Sequence, residues 1–149
     1  YDSVTNTVYA HENGPMGGDE LNILEPGSNY GWPFATYGLD YSGGYISPLT
    51  SYPGTEQPLT YWIPSLAPSG MTICRGCQWS EWEGDLFIGT LVGQQVRRIR
   101  LRNGAVIEQE ILLRPLEERI RDIRFGPDGA LYILTDYEEG RLLKVVHKR

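Results

Sequence analysis

Cysteine is nearly missing from this 149-residue chain, and the two that occur, Cys74 and Cys77, form a single Cys-Arg-Gly-Cys. As a redox motif that spacing needs a βαβ setting, and as half of a zinc site it needs two further ligands nearby; the sequence offers neither. What remains is a turn between two strands, with free thiols or a local disulfide. Long apolar runs are missing as well. None approaches the roughly 18 consecutive apolar residues of a membrane span. An excess of positive charge is also lacking: 13 basic against 19 acidic residues give a net charge of −6, which excludes the basic footprint of a protein that binds nucleic acid or an anionic membrane. Helical periodicity does not occur over any useful length. No signal peptide precedes Tyr1, and a start at Tyr is what a trimmed or processed chain shows, so the missing signal says nothing about compartment.

What the chain does contain points to an all-β fold. It has 18 Gly, 10 Pro, 10 Tyr and 4 Trp, with turn dipeptides every few residues between short apolar stretches. Its length suits one domain burying roughly 68–70% of its unfolded surface, and the tyrosines suit sugars. The second half repeats itself. Gly84-Asp85-Leu86-Phe87-Ile88-Gly89-Thr90 and Gly129-Ala130-Leu131-Tyr132-Ile133-Leu134-Thr135 lie 45 residues apart, inside the roughly 40–50 expected of propeller blades.

Four short strands per unit describe a blade, labelled A (inner) to D (outer). The middle unit is complete, with strands expected at Ser69–Ile73, Asp85–Gly89, Val96–Leu101 and Val106–Leu113. The first unit has strands near Val4–Ala10, Glu20–Leu24 and Leu59–Trp62 but no A strand; the last has Ile120–Phe125, Leu131–Leu134 and Arg141–Val146 but no D strand. About three blades with incomplete ends read as part of a larger ring, because open sheet edges are avoided by closure. The expected partner is therefore the missing N-terminal half or a second copy, pairing along Arg141–Val146 with Arg141 and Lys144 outward. A long insertion without clear alternation, residues 25–58, interrupts the first unit; its Tyr, Trp and Gly favour an ordered, functional loop.

The segment Tyr9–Gly43 concentrates carboxylates, exposed carbonyls and aromatics. Gly14-Pro15 and Gly17-Gly18 prevent a helix and turn backbone oxygens outward, and Asp19-Glu20 adds hard anionic oxygens of the kind Ca²⁺ prefers. Its pattern, G-P-x-G-G-D-E-x-N-I followed by N-Y-G-W-P-x-A-T-x-G-x-x-Y-S-G, resembles the soluble quinoprotein glucose/sorbosone dehydrogenase family and, within it, the PQQ-dependent aldose sugar dehydrogenases. Further markers carry the likeness along nearly the whole chain: G-T-E-Q-P at 54–58, S-x-A-P-S-G-M at 65–71, W-x-G-D-L-F-I-G at 82–89, R-I-R-D-I-R at 119–124 and G-P-D-G-x-L-Y-I-L-T-D at 126–136.

The resemblance implies the C-terminal part of a six-bladed β-propeller in a periplasmic or secreted enzyme. There PQQ lies over the propeller axis with one Ca²⁺ bound to it and further Ca²⁺ held structurally. It implies that the carbonyls of Gly14 and Pro15 face the PQQ-bound Ca²⁺. Glu20 and the Tyr30 carbonyl match structural Ca²⁺ ligands, and Tyr41, Thr90, Leu91, Val92, Arg119 and Arg121 match cofactor contacts. Val92 stands where the family usually has Lys or Arg. The family's general base is a His in the N-terminal half, and neither His11 nor His147 occupies a matching position, so no catalytic residue is assigned here.

Each residue also has a plainer reading. Gly14-Pro15 can be only a turn, Asp19-Glu20 a solvated strand start, and Tyr41 one ordinary tyrosine. Arg119 and Arg121, two apart on a strand and so on one face, can pair with Glu117, Glu118 or Asp122 rather than with the carboxylates of a cofactor. The function expected is a share in oxidising the C1 hydroxyl of an aldose to a lactone. Its rivals are a non-catalytic calcium-binding propeller segment that binds a partner or sugar, and a lactonase-type hydrolase that uses the axial Ca²⁺ without a quinone.

Overall fold

A computed structural model describes residues 1–148 of the chain. Its ten strands form three antiparallel sheets, which fall into two compact units, residues 1–67 and residues 68–149. The all-β reading and the three-blade inventory both hold.

In the first unit β1 (Tyr9–Glu12), β2 (Asp19–Ile23) and β3 (Thr60–Trp62) lie in that order. Register sets Glu12 opposite Glu20 and Ala10 opposite Asn22. Strand β2 is buried from Asp19 to Asn22 although three of those four residues are polar. A strand of this kind persists only where its polar groups find partners. The first strand lies later than the expected Val4–Ala10. The Asp2 carboxylate accepts hydrogen bonds from the Val4 N–H (3.1 Å) and the Thr5 hydroxyl (2.6 Å), and Asn6 takes a left-handed φ of 55°. These contacts fold residues 2–7 into a turn closed by the Asp2–Thr7 bridge and leave Tyr9 as the first ladder residue.

The 25–58 insertion is ordered by local backbone pairing. Glu56 N–H donates to Asn29 C=O (2.8 Å), Thr36 N–H to Leu49 C=O (3.0 Å), and Leu39 bridges Tyr45.

The second unit holds β4 (Pro68–Ile73), β5 (Leu86–Thr90), β6 (Val96–Arg102) and β7 (Ala105–Leu112) as a four-stranded meander. Strands β8 (Ile120–Phe125), β9 (Leu131–Thr135) and β10 (Leu142–Val145) form the third sheet. Alternation sends Phe87, Val96, Ile120, Ile123, Leu131 and Ile133 into a common core with Trp79. Phe87 meets Phe125 edge to face at 5.1 Å. The two cysteines form a local disulfide that closes the turn after β4, with Cα atoms 5.3 Å apart.

Ile123 lies in the middle of β8 and is 1% exposed, so Ile123→Ala should cost about 2–5 kcal/mol through lost burial and the cavity left behind. Ile107, on β7 and 53% exposed, serves as the control, and its change to Ala should stay within about 0.5 kcal/mol. Urea denaturation of both variants checks the core, and equal effects would show that β8 is not its centre.

Candidate functional site

In the first unit the site begins with Asp19, which is fully buried. Its Oδ1 accepts from the Gly14 N–H (2.9 Å), and its Oδ2 accepts from the Leu66 and Ala67 N–H groups (2.7 and 2.9 Å) and the Ser65 hydroxyl (2.8 Å). The carboxylate is thus used internally to fix the Gly14-Pro15 turn against the 65–67 segment. Only glycine fits at 14, because a Cβ there would meet the Gly17 carbonyl oxygen at 2.0 Å. Gly18, at φ 73°, lets the backbone at Tyr37–Gly38 approach; a Cβ would lie 2.3 Å from the Gly38 nitrogen. This close approach seats the insertion on the turn, and Met16 N–H donating to Leu39 C=O (3.1 Å) ties it down.

Glu20 alternates to the other face of β2 from Asp19 and has a different environment. It is 9% exposed and faces the Glu12 carboxyl across the ladder. Burial, together with the Glu12 charge and against the Asn22 hydrogen bond, pushes its carboxyl above the usual range. The Asn22 amide nitrogen makes only long contacts to both carboxylates, 3.4 Å to Glu12 and 3.3 Å to Glu20. Asn22 is 1% exposed, and its Oδ1 has no hydrogen-bond partner. The Asn22 amide thus turns its nitrogen toward the two carboxylates, and the carboxylate oxygens of Glu12 and Glu20 are the hard donors that a cation such as Ca²⁺ takes.

A cavity of about 30 Å³ opens among Glu12, Gly14, Glu20, Tyr30 and Thr36, room for an occupant of at least water size, which needs roughly 10–15 Å³. The Tyr30 hydroxyl donates to Ile23 C=O (2.9 Å) and accepts from Glu25 N–H (2.7 Å), which folds the loop start back onto β2. Two carboxylates, those of Glu12 and Glu20, line this cavity, and their oxygens are of the kind Ca²⁺ takes. Among the described residues no three His, Cys, Asp or Glu side chains converge on a metal position, so a cation there would need backbone oxygens beside the two carboxylates. Tyr41 lies in the same unit, 79% exposed on the insertion.

In the second unit, Thr90 is fully buried and closes the loop after β5, with its hydroxyl donating to Gln95 C=O (2.9 Å) and accepting from Gln95 N–H (3.2 Å). That closure presents Leu91, which is half-buried, and Val92, which is 63% exposed. Arg119 and Arg121 do come together, and the residue that joins them is Asp136. Arg119 places Nε and Nη2 at 3.1 and 2.8 Å from Oδ2, and Arg121 places Nε at 2.9 Å and Nη2 at 2.8 Å from Oδ1. The two guanidiniums, Arg119's first, hold the Asp136 carboxyl below its ordinary value. Two cations on one anion leave a net positive charge and unused N–H groups, which suits a ligand with several carboxylates such as PQQ.

The plainer reading of these arginines, intramolecular pairing, holds with a different acid: Asp136 takes both, while Glu118 pairs with Arg141 and Asp122 with Arg124. Sequence reasoning does not single out Asp136, Asn22 or Glu12. Asn22 was accessible through its i+2 spacing from Glu20, and Asp136 through its place at the end of the G-P-D-G marker. His11 lies on β1 opposite Leu21.

Comparison with known proteins gives the chain its relatives. The Glucose / Sorbosone dehydrogenase family model matches residues 1–144. Aldose sugar dehydrogenase YliI of Escherichia coli is 45% identical over 95% of this chain and 38% of its own length. A glucose dehydrogenase crystal structure superposes with a TM-score of 0.94 at 47% identity, covering 99% of this chain and 43% of that one. The PQQ-bound form of an aldose sugar dehydrogenase from Streptomyces coelicolor gives a TM-score of 0.71 at 26% identity, over 97% of this chain and 40% of that one. The chain thus spans less than half the length of these relatives and has the fold of part of their propeller.

The Glu20 environment makes a prediction about pH. With its pKa raised in the folded state, Glu20 keeps its proton where the unfolded chain has lost it, so the penalty for ionising it is absent below the usual carboxylate range and grows as pH rises through the folded value. In metal-free protein Glu20→Gln should therefore raise the melting temperature at pH 7, with a gain that fades toward pH 4. Added Ca²⁺ should stabilise the unsubstituted protein alone. Calorimetry at both pH values tests this, and a gain larger at pH 4 than at pH 7 would contradict it.

Proposed function

Because the chain belongs to the glucose/sorbosone dehydrogenase family, we propose that it is part of a PQQ- and Ca²⁺-dependent aldose sugar dehydrogenase that oxidises the C1 hydroxyl of aldoses to lactones. The observation that carries this reading is the Arg119–Asp136–Arg121 triad, a fixed pair of guanidiniums with a surplus positive charge. Its free donors would receive carboxylates of PQQ. Tyr41 and the Thr90–Val92 turn would contribute further contacts, with Val92 supplying apolar surface where relatives use a cation. The Gly14 and Pro15 carbonyls would face the Ca²⁺ that accompanies the cofactor, and Glu20 with the Tyr30 carbonyl would hold a structural one.

The quinone, when bound, supplies the acceptor for the hydride taken from the sugar. The contribution of this chain is to bind and orient. It contains none of the acid–base groups the family uses on the sugar hydroxyl, so the rest of the propeller, or a partner that completes the ring, supplies them. We place the whole protein in the periplasm or outside the cell, in keeping with its family; among the described residues no helix is long and apolar enough to cross a membrane. One observation favours a second reading, a calcium-binding propeller segment without catalysis: Val92 is 63% exposed at the position of the usual cation.

Titrating PQQ and Ca²⁺ into the whole polypeptide that carries this chain, followed by an aldose, separates the two readings. The dehydrogenase reading expects the absorbance of reduced quinone to rise on adding sugar, and expects residues 1–149 alone to give none. Quinone that stays oxidised in the whole, Ca²⁺-loaded protein would leave the non-catalytic reading standing.

A further inference from the structure

We propose that Asp136 is a positioning residue for a polycarboxylate ligand: it holds Arg119 and Arg121 side by side before the ligand arrives. The proposal rests on the reading above, in which this pair receives the carboxylates of PQQ.

The geometry separates this role from that of an ordinary surface ion pair. Asp136 follows directly after β9, and its own N–H donates to the Arg119 carbonyl at 2.8 Å. Backbone and side chain therefore fix it to the same residue. Thr135, its neighbour, pairs with Ile120 across the ladder, and a bulge between Ile120 and Asp122 sets the path of the strand where Arg121 leaves it. Each oxygen of Asp136 takes one arginine. Oδ2 receives the Nε/Nη2 edge of Arg119 and Oδ1 the same edge of Arg121. A guanidinium carries five N–H donors in a rigid plane, so each arginine engages one edge and keeps its Nη1 donors for a ligand. The two side chains are 37% and 50% exposed, and without the shared carboxylate two like charges in this position would repel and swing into solvent.

Two effects of removing Asp136 oppose each other, and this makes the proposal testable by sign. Loss of a negative charge raises the net charge of the site and favours an anionic ligand, but at this exposure water and salt screen most of that gain. Loss of the anchor frees two long side chains, whose ordering must then be supplied on binding. The second effect is the larger if Asp136 positions the pair.

The test compares PQQ binding by equilibrium dialysis to the whole polypeptide, unsubstituted and as Asp136→Ala and Asp136→Asn, together with the arginine Nε–Hε resonances of the unliganded protein. Binding should weaken by about tenfold in Asp136→Ala and by less in Asp136→Asn, although both variants gain positive charge, and the melting curves should stay close to that of the unsubstituted protein. The Arg119 and Arg121 resonances, separate and slowly exchanging before substitution, should collapse toward those of free arginine in Asp136→Ala. Unchanged or tighter binding in Asp136→Ala would overturn the proposal. If the unsubstituted protein takes up no PQQ, the reading of function fails, and the resonances then decide alone: signals unmoved in Asp136→Ala would show that Asp136 positions nothing.

Discussion

A carboxylate removed from water must be paid for in hydrogen bonds, and Asp19 receives them from main-chain N–H groups on both sides of a long excursion of the chain. Gly14 donates from five residues before it, and Leu66 and Ala67 donate from more than forty residues after. Bonds from amides to an ionised acceptor are among the stronger ones, and here they clamp the Gly14-Pro15 turn, the start of β2 and the exit from β3. Ala67, at a left-handed φ of 49°, is held in place by the same carboxylate. The clamp also fixes Gly14, one of the residues that line the cavity beside Glu20. Adjacent acids thus differ: Asp19 is consumed by the backbone, while Glu20, one step along the strand and on the opposite face, accepts a long 3.3 Å hydrogen bond from Asn22 and lines the cavity.

The arginines divide in the same way, and the number of acids around each decides which role it takes. Arg98 is 5% exposed, bonded to Asp85 at 2.7 Å and also to Glu110, with its guanidinium over the Trp82 ring. Two acids neutralise it inside the sheet, as burial of a charge demands. Arg119 and Arg121 instead share one acid and remain part-exposed. A neutralised arginine holds a fold together, whereas a pair with surplus charge is available to an anionic ligand.

Much of the architecture was legible in the order of residues. The 45-residue repeat located the strands of the middle and last sheets to within a residue or two. The first strand was misplaced because Val4 and Val8 look like alternating strand residues, while the Asp2 and Asn6 side chains that break the run act through turn geometry. The cysteine pair could not be resolved between thiols and disulfide, since closure depends on the turn that brings two Cα atoms to 5.3 Å. In the site, resemblance supplied the two arginines and Glu20, but sequence neighbours suggested the wrong acids for the arginines. Asp136 reaches them across the β8–β9 ladder, a relation fixed by register and by a bulge that no local pattern reveals.

The most direct test is a crystal structure of the whole polypeptide grown with PQQ and Ca²⁺, with anomalous data collected at long wavelength. Quinone carboxylates are expected on the Arg119 and Arg121 donors left free by Asp136, with an anomalous peak beside Glu20 within bonding distance of the Tyr30 carbonyl. Quinone density that avoids both arginines, together with no peak in the Glu20 cavity, would contradict that expectation.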